Sequence, residues 1–226
     1  MQDCASFTIK TFFDEPGSVV GAESNKEKFS RLVDRMNPFR YCWCGSSHLS
    51  IHLIQSLHMN RSNNLKELNE IQMRELANRL DHPYAAMFMV EDTKQGEIIG
   101  FSEIFTQPFD QESMKFKDPL PVALTNKEYL RQNSRPKVAN FCVHQDYRKQ
   151  GVGKLLLSAC LSQAREWGYE QALLLVDADN SSARRFYRYQ GFADVAYESW
   201  MRKYDVNTMR LSSVRSPKYL MQKHLI

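Results

Sequence analysis

Six consecutive residues, Arg148-Lys149-Gln150-Gly151-Val152-Gly153, combine two cations with two closely spaced glycines. An apolar run, Val138-Ala139-Asn140-Phe141-Cys142-Val143, lies upstream after Pro136, and the polar turn His144-Gln145-Asp146 separates the two. Downstream, Leu156, Leu157, Cys160, Leu161 and Ala164 recur at helical spacing between Lys154 and Trp167, and Gly168 is placed to end that helix. The order is strand, glycine-bearing turn, helix. It aims backbone N–H groups of the turn and first helical turn at one point, where the helix dipole adds positive potential. The chemistry this supports is the holding of a phosphate or pyrophosphate. Gly151 and Gly153 let the backbone approach an anion with no Cβ in between, while Arg148 and Lys149 add charge.

Spacing excludes two common phosphate loops. A dinucleotide fingerprint needs a third glycine, and Leu156 stands three residues after Gly153. A P-loop needs Gly-Lys followed by Ser or Thr, and Gly153-Lys154 is followed by Leu155, with no glycine at the required distance before it. Further on, Ala172-Leu173-Leu174-Leu175-Val176 reads as a short buried strand, followed by Asn180, Ala183, Tyr187, Gly191 and Phe192. The pattern R-x-x-G-x-G after a strand and opening a helix resembles the acyl-CoA loop of the GNAT N-acetyltransferase superfamily. The downstream residues resemble the same family's N-x-x-A-x-x-x-Y-x-x-x-G-F ending, in register and in order.

The resemblance implies an α/β (α+β) architecture: a mixed, mostly antiparallel central sheet of about seven strands, flanked by helices and splayed at strand 4. It implies one domain over residues 1–226, with its acyl-CoA core at about 137–192, and acetyl-CoA as cosubstrate with no metal. Phe141, Cys142 and Val143 would line the pantetheine, and the Val143 N–H would polarise the thioester carbonyl. Such a donor is worth roughly 3 kcal/mol where it has been measured in enzymes. Arg148, Lys149, Gln150, Gly151, Val152, Gly153 and Lys154 would hold the pyrophosphate. Tyr187 matches the family's general acid, since a phenol of pKa about 10 keeps a proton to give at neutral pH. Its plain alternative is a core aromatic beside Phe186. Asn180 either bonds pantetheine or caps the helix that Ser181 begins, and the resemblance places Ala183 and Tyr187 among the cosubstrate-binding residues as well. Glu103 is the candidate base for the amine, or else a solvent-facing strand residue, and Asn140 has no basic group but can position a water.

These residues need elements to carry them. Ser6 to Phe12 alternates apolar and polar, as a strand does, and Asp14 to Ser18 turns the chain. Glu27–Met36 and Leu65–Leu80 have helical spacing. Tyr84–Val90 and Glu97–Thr106 read as a hairpin around Thr93-Lys94-Gln95-Gly96. Pro108 to Arg135 reads as a long polar connection, Ala193–Trp200 and Lys218–Leu225 as the last two strands, and Tyr204–Pro217 as a basic, mobile insertion.

The chain has 226 residues, of which 42% are hydrophobic, enough for one well-packed domain and short for two. A net charge of +4 suits an anionic cosubstrate, and no basic block or aromatic stripe points to nucleic acid. No apolar run is long enough to cross a membrane. Five cysteines, an odd number without framework spacing, suggest a reducing compartment. Met1–Lys10 lacks the apolar core of a signal peptide, and Asp3 is unlike a transit peptide still attached, so the expected location is the cytoplasm, or the plastid stroma if a transit peptide has been removed. Cys42, Cys44, His48, His52 and His58 cluster, but C-x-C is not the usual zinc spacing. The function that the resemblance implies is transfer of acetyl from the thioester to an amine, and Pro136–Phe192 resembles GNAT enzymes of photosynthetic lineages that act on protein N-termini and lysines. A small-molecule amine acetyltransferase, a non-catalytic acyl-CoA-binding module, and a basic adaptor using Arg202, Lys203, Arg210 and Arg215 are the alternatives. No heptad or isolated apolar patch speaks to the oligomeric state.

Overall fold

A computed structural model describes residues 7–11, 82–118, 127–205 and 212–225, together with 63, 64, 67, 68, 70, 71, 74 and 79. Its elements are β1 (Phe7–Thr11), β2 (Ala85–Asp92), β3 (Glu97–Asp110), β4 (Lys115–Phe116), α1 (Lys127–Asn133), β5 (Ser134–Val143), α2 (Val152–Glu166), β6 (Gln171–Asp177), α3 (Ser181–Tyr189), β7 (Ala193–Glu198), β8 (Arg202–Asp205), β9 (Ser212–Arg215) and β10 (Lys218–His224). The main sheet runs β1-β2-β3-β5-β6-β10-β7, with β4 paired to β3 and a separate β8–β9 ribbon. Every neighbour on this path is antiparallel except β5–β6. This is the mixed, mostly antiparallel sheet that the resemblance implies. The helix read over Glu27–Met36 and the Cys42–His58 cluster lie outside the described residues. Residues 63, 64, 67, 68, 70, 71 and 74 are helical.

The core forms where α2 crosses the sheet. Val152, Leu156, Leu157, Cys160, Leu161 and Ala164 are its buried stripe, at the three-and-four spacing that puts them on one face. They meet the sheet face that carries Phe88, Val90, Ile104, Val138, Leu174 and Met221. Close approach is set at Gly100 on β3, where a Cβ would lie 2.9 Å from Leu156 Cδ1 and 3.0 Å from Val152 Cγ1. Both neighbours are almost fully buried and cannot swing aside. We therefore expect Gly100→Ala to destabilise the fold by about 1–3 kcal/mol, the usual penalty for overpacking. Chemical denaturation measures this, and an unchanged midpoint would mean that α2 shifts without penalty.

Two stretches differ from the sequence reading. The connection read as irregular from Pro108 is partly ordered. β3 continues through Pro108 to Asp110 and returns as β4, with Phe109 and Phe116 stacked edge to face at 5.1 Å. Pro108 is tolerated because Thr106 donates to the Tyr84 carbonyl on the β2 side, and two residues further on β2 has ended. On that edge Lys117 donates to the Pro108 carbonyl at 2.8 Å, and the Lys117 carbonyl, which the proline has no N–H to meet, accepts from Gln107 Nε2 at 2.7 Å instead. The C-terminal insertion is likewise not simply a mobile loop. Arg202–Asp205 pairs with Ser212–Arg215, and Lys203 bridges to Asp177 at 3.5 Å and to Asp179 at 3.2 Å.

Candidate functional site

Strand β5 pairs with β6 only through Lys137↔Leu173 and Val138↔Leu174, although both strands run on. The two part at Ala139. On the other side, β5 remains paired with β3, but the register slips there. Phe101 faces Cys142 and Glu103 faces Ala139, so Asn140 and Phe141 together oppose Ser102. This is a β-bulge, and Asn140 occupies it with φ +46°, a left-handed conformation that asparagine tolerates better than most residues.

Beyond the bulge, backbone direction is set by strand alternation. The His144 N–H donates to the Ile99 carbonyl on β3 at 2.8 Å. Neighbouring residues on a strand point their backbone groups to opposite edges, so Val143 directs its N–H and C=O away from β3 and towards the gap left by β6. The Val143 carbonyl accepts from Arg148 Nε at 3.2 Å, which confirms its direction. Val143 is the residue that the resemblance implies for the thioester carbonyl, and the parted strands leave that edge of it without a β6 partner.

The turn that follows is held at several points. A 3-10 turn, Gln145–Tyr147, leads into it, and the Tyr147 hydroxyl donates to Asp92 Oδ2 at 3.0 Å. Asp92 also accepts from the Lys94 backbone N–H at 2.9 Å, and this bond, more than the others, holds its carboxyl below the ordinary carboxylate range. Gln150 Nε2 donates to the Asp146 carbonyl at 2.8 Å. Lys149 has φ +62° and Gly151 φ +89°. Arg148 thus folds its guanidinium back towards β5, while Lys149, Gln150 and Lys154 are exposed. Gly151 is the N-cap of α2 and has open space around its missing Cβ. Val152 plays two parts. Its side chain is buried in the core, whereas its N–H is one of the first-turn donors that a helix leaves unsatisfied.

Because Asp92 has a depressed pKa, its contribution to stability is present above the unfolded value of 3.8 and is lost as pH falls through the lower folded value. Asp92→Asn is expected to shrink the acid-induced loss of stability below pH 4. Equal acid sensitivity in both proteins would show that Asp92 does not anchor the turn.

Helix α3 closes the other side. Asn180 is its N-cap, and its side-chain oxygen accepts from the Ala183 N–H at 3.0 Å, so the capping alternative describes its observed contact. Tyr187 is the buried residue of this helix. Its ring lies 5.9 Å from Phe141, 5.2 Å from Phe186 and 5.8 Å from Phe192. Burial, then the Cys160 and Cys142 thiols nearby, pushes its phenol well above the usual tyrosine range. Gly153 joins the two halves, since a Cβ there would sit 3.4 Å from Phe186 and 3.7 Å from Phe141. Phe141, Cys142 and Val143, the turn, and Tyr187 are therefore brought together.

Glu103 is not the solvent-facing strand residue that one sequence reading allowed. Ser102 bonds Cys160 of α2 at 3.3 Å, and Ile104 joins the α2-side core, so Glu103 between them faces the opposite side of the sheet. It is 1% exposed, which rules out a solvent-facing residue. Its Oε1 accepts from Arg79 at 2.6 Å and from Asn140 at 2.8 Å. Sequence reasoning missed Arg79. The one signal was Asn140, a polar residue interrupting an apolar strand.

A family model described as "Acetyltransferase (GNAT) family" matches residues 53–192. A curated protein of Arabidopsis thaliana, "GCN5-related N-acetyltransferase 7, chloroplastic", is 30% identical over 79 residues, which is 34% of this chain and 29% of that protein. The match therefore spans less than a third of that relative's length. Among solved structures, the acetyltransferase of GNAT family from Streptococcus pneumoniae superposes with a TM-score of 0.51 at 16% identity, covering 98% of this chain and 100% of that one. Arabidopsis thaliana NAA60, solved in complex with acetyl-CoA, gives a TM-score of 0.50 at 16% identity over 72% of this chain and 94% of its own.

Proposed function

The chain belongs to the acetyltransferase (GNAT) family, and from that premise we propose that it transfers acetyl from acetyl-CoA to an amine of a protein, at an N-terminus or a lysine side chain. What supports this reading is that β5 and β6 part after Val138 while Phe141 of the freed segment packs against Tyr187 and against Gly153 at the start of α2. One domain over residues 1–226 would carry the activity.

In this reading, the turn and the first turn of α2 hold the pyrophosphate, and the pantetheine enters between β5 and β6. The amine nitrogen attacks the thioester carbonyl carbon, forming the C–N bond. The resulting oxyanion accepts the Val143 N–H, a donor fixed before the charge develops. As the C–S bond breaks, the sulfur takes the phenolic proton of Tyr187. The amine's proton leaves to solvent, which returns one to the tyrosine, so the products are an amide and free thiol. Asn180 fixes the start of α3 and thereby the position of Tyr187.

A protein acceptor is favoured by the β8–β9 ribbon. Its lysine, Lys203, is tied to Asp177 and Asp179 at the C-terminal end of β6, where the gap opens. Beside it Trp200 is 81% exposed and Tyr204 48% exposed, an open wall better suited to an extended peptide than to a small enclosed amine. No described helix is long and apolar enough to cross a membrane, and the relative named as chloroplastic accords with the plastid alternative to a cytoplasmic location.

The pH dependence follows from two groups. A primary amine loses its proton as pH rises, so kcat/KM climbs with pH. Tyr187 has its pKa raised above 10.0, so its acid form persists throughout that climb. We expect no alkaline fall below about pH 10, and a fall near neutrality would remove Tyr187 as the acid. Purified protein assayed for thiol release with peptide and small-amine acceptors tests the proposal as a whole. Acetylated peptide with equimolar thiol supports it, and turnover of small amines alone overturns the acceptor class.

A further inference from the structure

We propose that Glu103 is a positioning residue that holds the bulge in β5 through Asn140, rather than the base that takes the amine's proton. This rests on the acetyl-transfer reading of the site. Asn140 in the left-handed region is what puts two residues of β5 opposite one of β3. That conformation is strained for most non-glycine residues and only tolerated by Asn, so a contact is needed to keep it there. The Asn140 Nδ2–H bond to Glu103 Oε1, at 2.8 Å, supplies it.

The carboxylate is itself fixed. Arg79 donates to the same oxygen at 2.6 Å, and its guanidinium lies 4.3 Å over the Phe105 ring. A charged acceptor makes the stronger class of hydrogen bond. The next residue, Phe141, goes to the other face and packs between Phe186 and Tyr187. The bulge is thus clamped on both faces of the sheet: by ion-paired Glu103 on one, and by the aromatic cluster on the other. What it carries is the segment Phe141–Val143, including the N–H aimed at the thioester. An accepting oxygen already shared by a guanidinium and an amide is suited to hold geometry. A base must instead bind and release a proton on each turnover.

Three variants of the full chain test this: Glu103→Gln, Asn140→Ala and Asn140→Gly. Asn140→Ala loses both the tether and the tolerance for positive φ, and the two losses together should raise the acetyl-CoA Kd and KM about tenfold. The acceptor KM should change by less than about twofold, because only the strand carrying the thioester donor is loosened. Asn140→Gly keeps the backbone conformation and loses only the tether, so its effect should be smaller, about threefold. Glu103→Gln should raise the acetyl-CoA KM as Asn140→Ala does, while the curve of kcat against pH keeps its wild-type shape. Amide exchange at residues 139–143 in the unliganded protein should quicken in all three.

A loss of kcat of about a hundredfold or more in Glu103→Gln, with the acid limb of the pH profile abolished, would make Glu103 the base and overturn the proposal. Folded Asn140 variants with wild-type exchange and wild-type acetyl-CoA affinity would overturn it equally. If Glu103→Gln fails to fold, the Asn140 pair still decides. If the wild-type protein neither binds nor consumes acetyl-CoA, the functional reading falls. The exchange measurement then decides whether Glu103 and Asn140 hold the bulge.

Discussion

Tyr187→Phe is expected to lower kcat by roughly a hundred- to a thousandfold, the contribution typical of a positioned proton donor. The described contacts of Tyr187 are ring contacts with Phe141, Phe186 and Phe192, and phenylalanine keeps all of them. Fold stability and acetyl-CoA affinity should therefore stay close to wild type. That split, a lost kcat with a preserved KM, is the mark of a group acting only as the thiolate departs. Burial favours this role. It disfavours the phenolate and so keeps the proton on the oxygen until negative charge builds on the departing sulfur, which the same burial makes more basic than it is in water. Single-turnover kinetics with thiol detection measures the effect. Equal kcat in wild type and variant would make Tyr187 a packing residue and move the acid elsewhere.

Gly151→Val should weaken acetyl-CoA binding by about thirtyfold, with a much smaller change in the acceptor KM, the backbone strain alone being about 2 kcal/mol. Gly151 has φ +89° and empty space around it, so the penalty arises from the backbone and not from a clash. A β-branched residue cannot hold that conformation without strain, and relaxing it turns the first-turn N–H groups away from the anion. Titration calorimetry with acetyl-CoA and with dephospho-acetyl-CoA reads the loss. If the loss is the same for both ligands, it lies at the shared pyrophosphate, as the account requires. Unchanged affinity in the variant would place the pyrophosphate away from this turn.

Much of this site was legible because short-range rules govern it. The stripe Leu156, Leu157, Cys160, Leu161, Ala164 announces α2 through its period, and Gly151 and Gly153 sit where a turn must become a helix. Val138–Val143 and Ala172–Val176 read as strands from composition, and the hairpin around Gly96 from its turn residues. Other features depend on partners distant in sequence. The pairing of Arg79 with Glu103 joins residues 24 apart, and no local pattern carries it. The bulge depends on register between β3 and β5, so Asn140 appears in sequence as only an interruption. β4 is two residues long, too short for any period to show. It exists because the end of β3 offers it an edge.

The central claim is chemical, and its most direct test is a balance of products. Purified protein is incubated with acetyl-CoA and a mixed set of peptides and small amines, and both free thiol and acetylated acceptor are quantified by mass spectrometry. The account predicts one acetylated peptide amine for each thiol released, with both signals collapsing together in Tyr187→Phe. Tight binding of acetyl-CoA with no thiol released on any acceptor would contradict it, and would leave the protein a binder of acyl-CoA rather than a transferase.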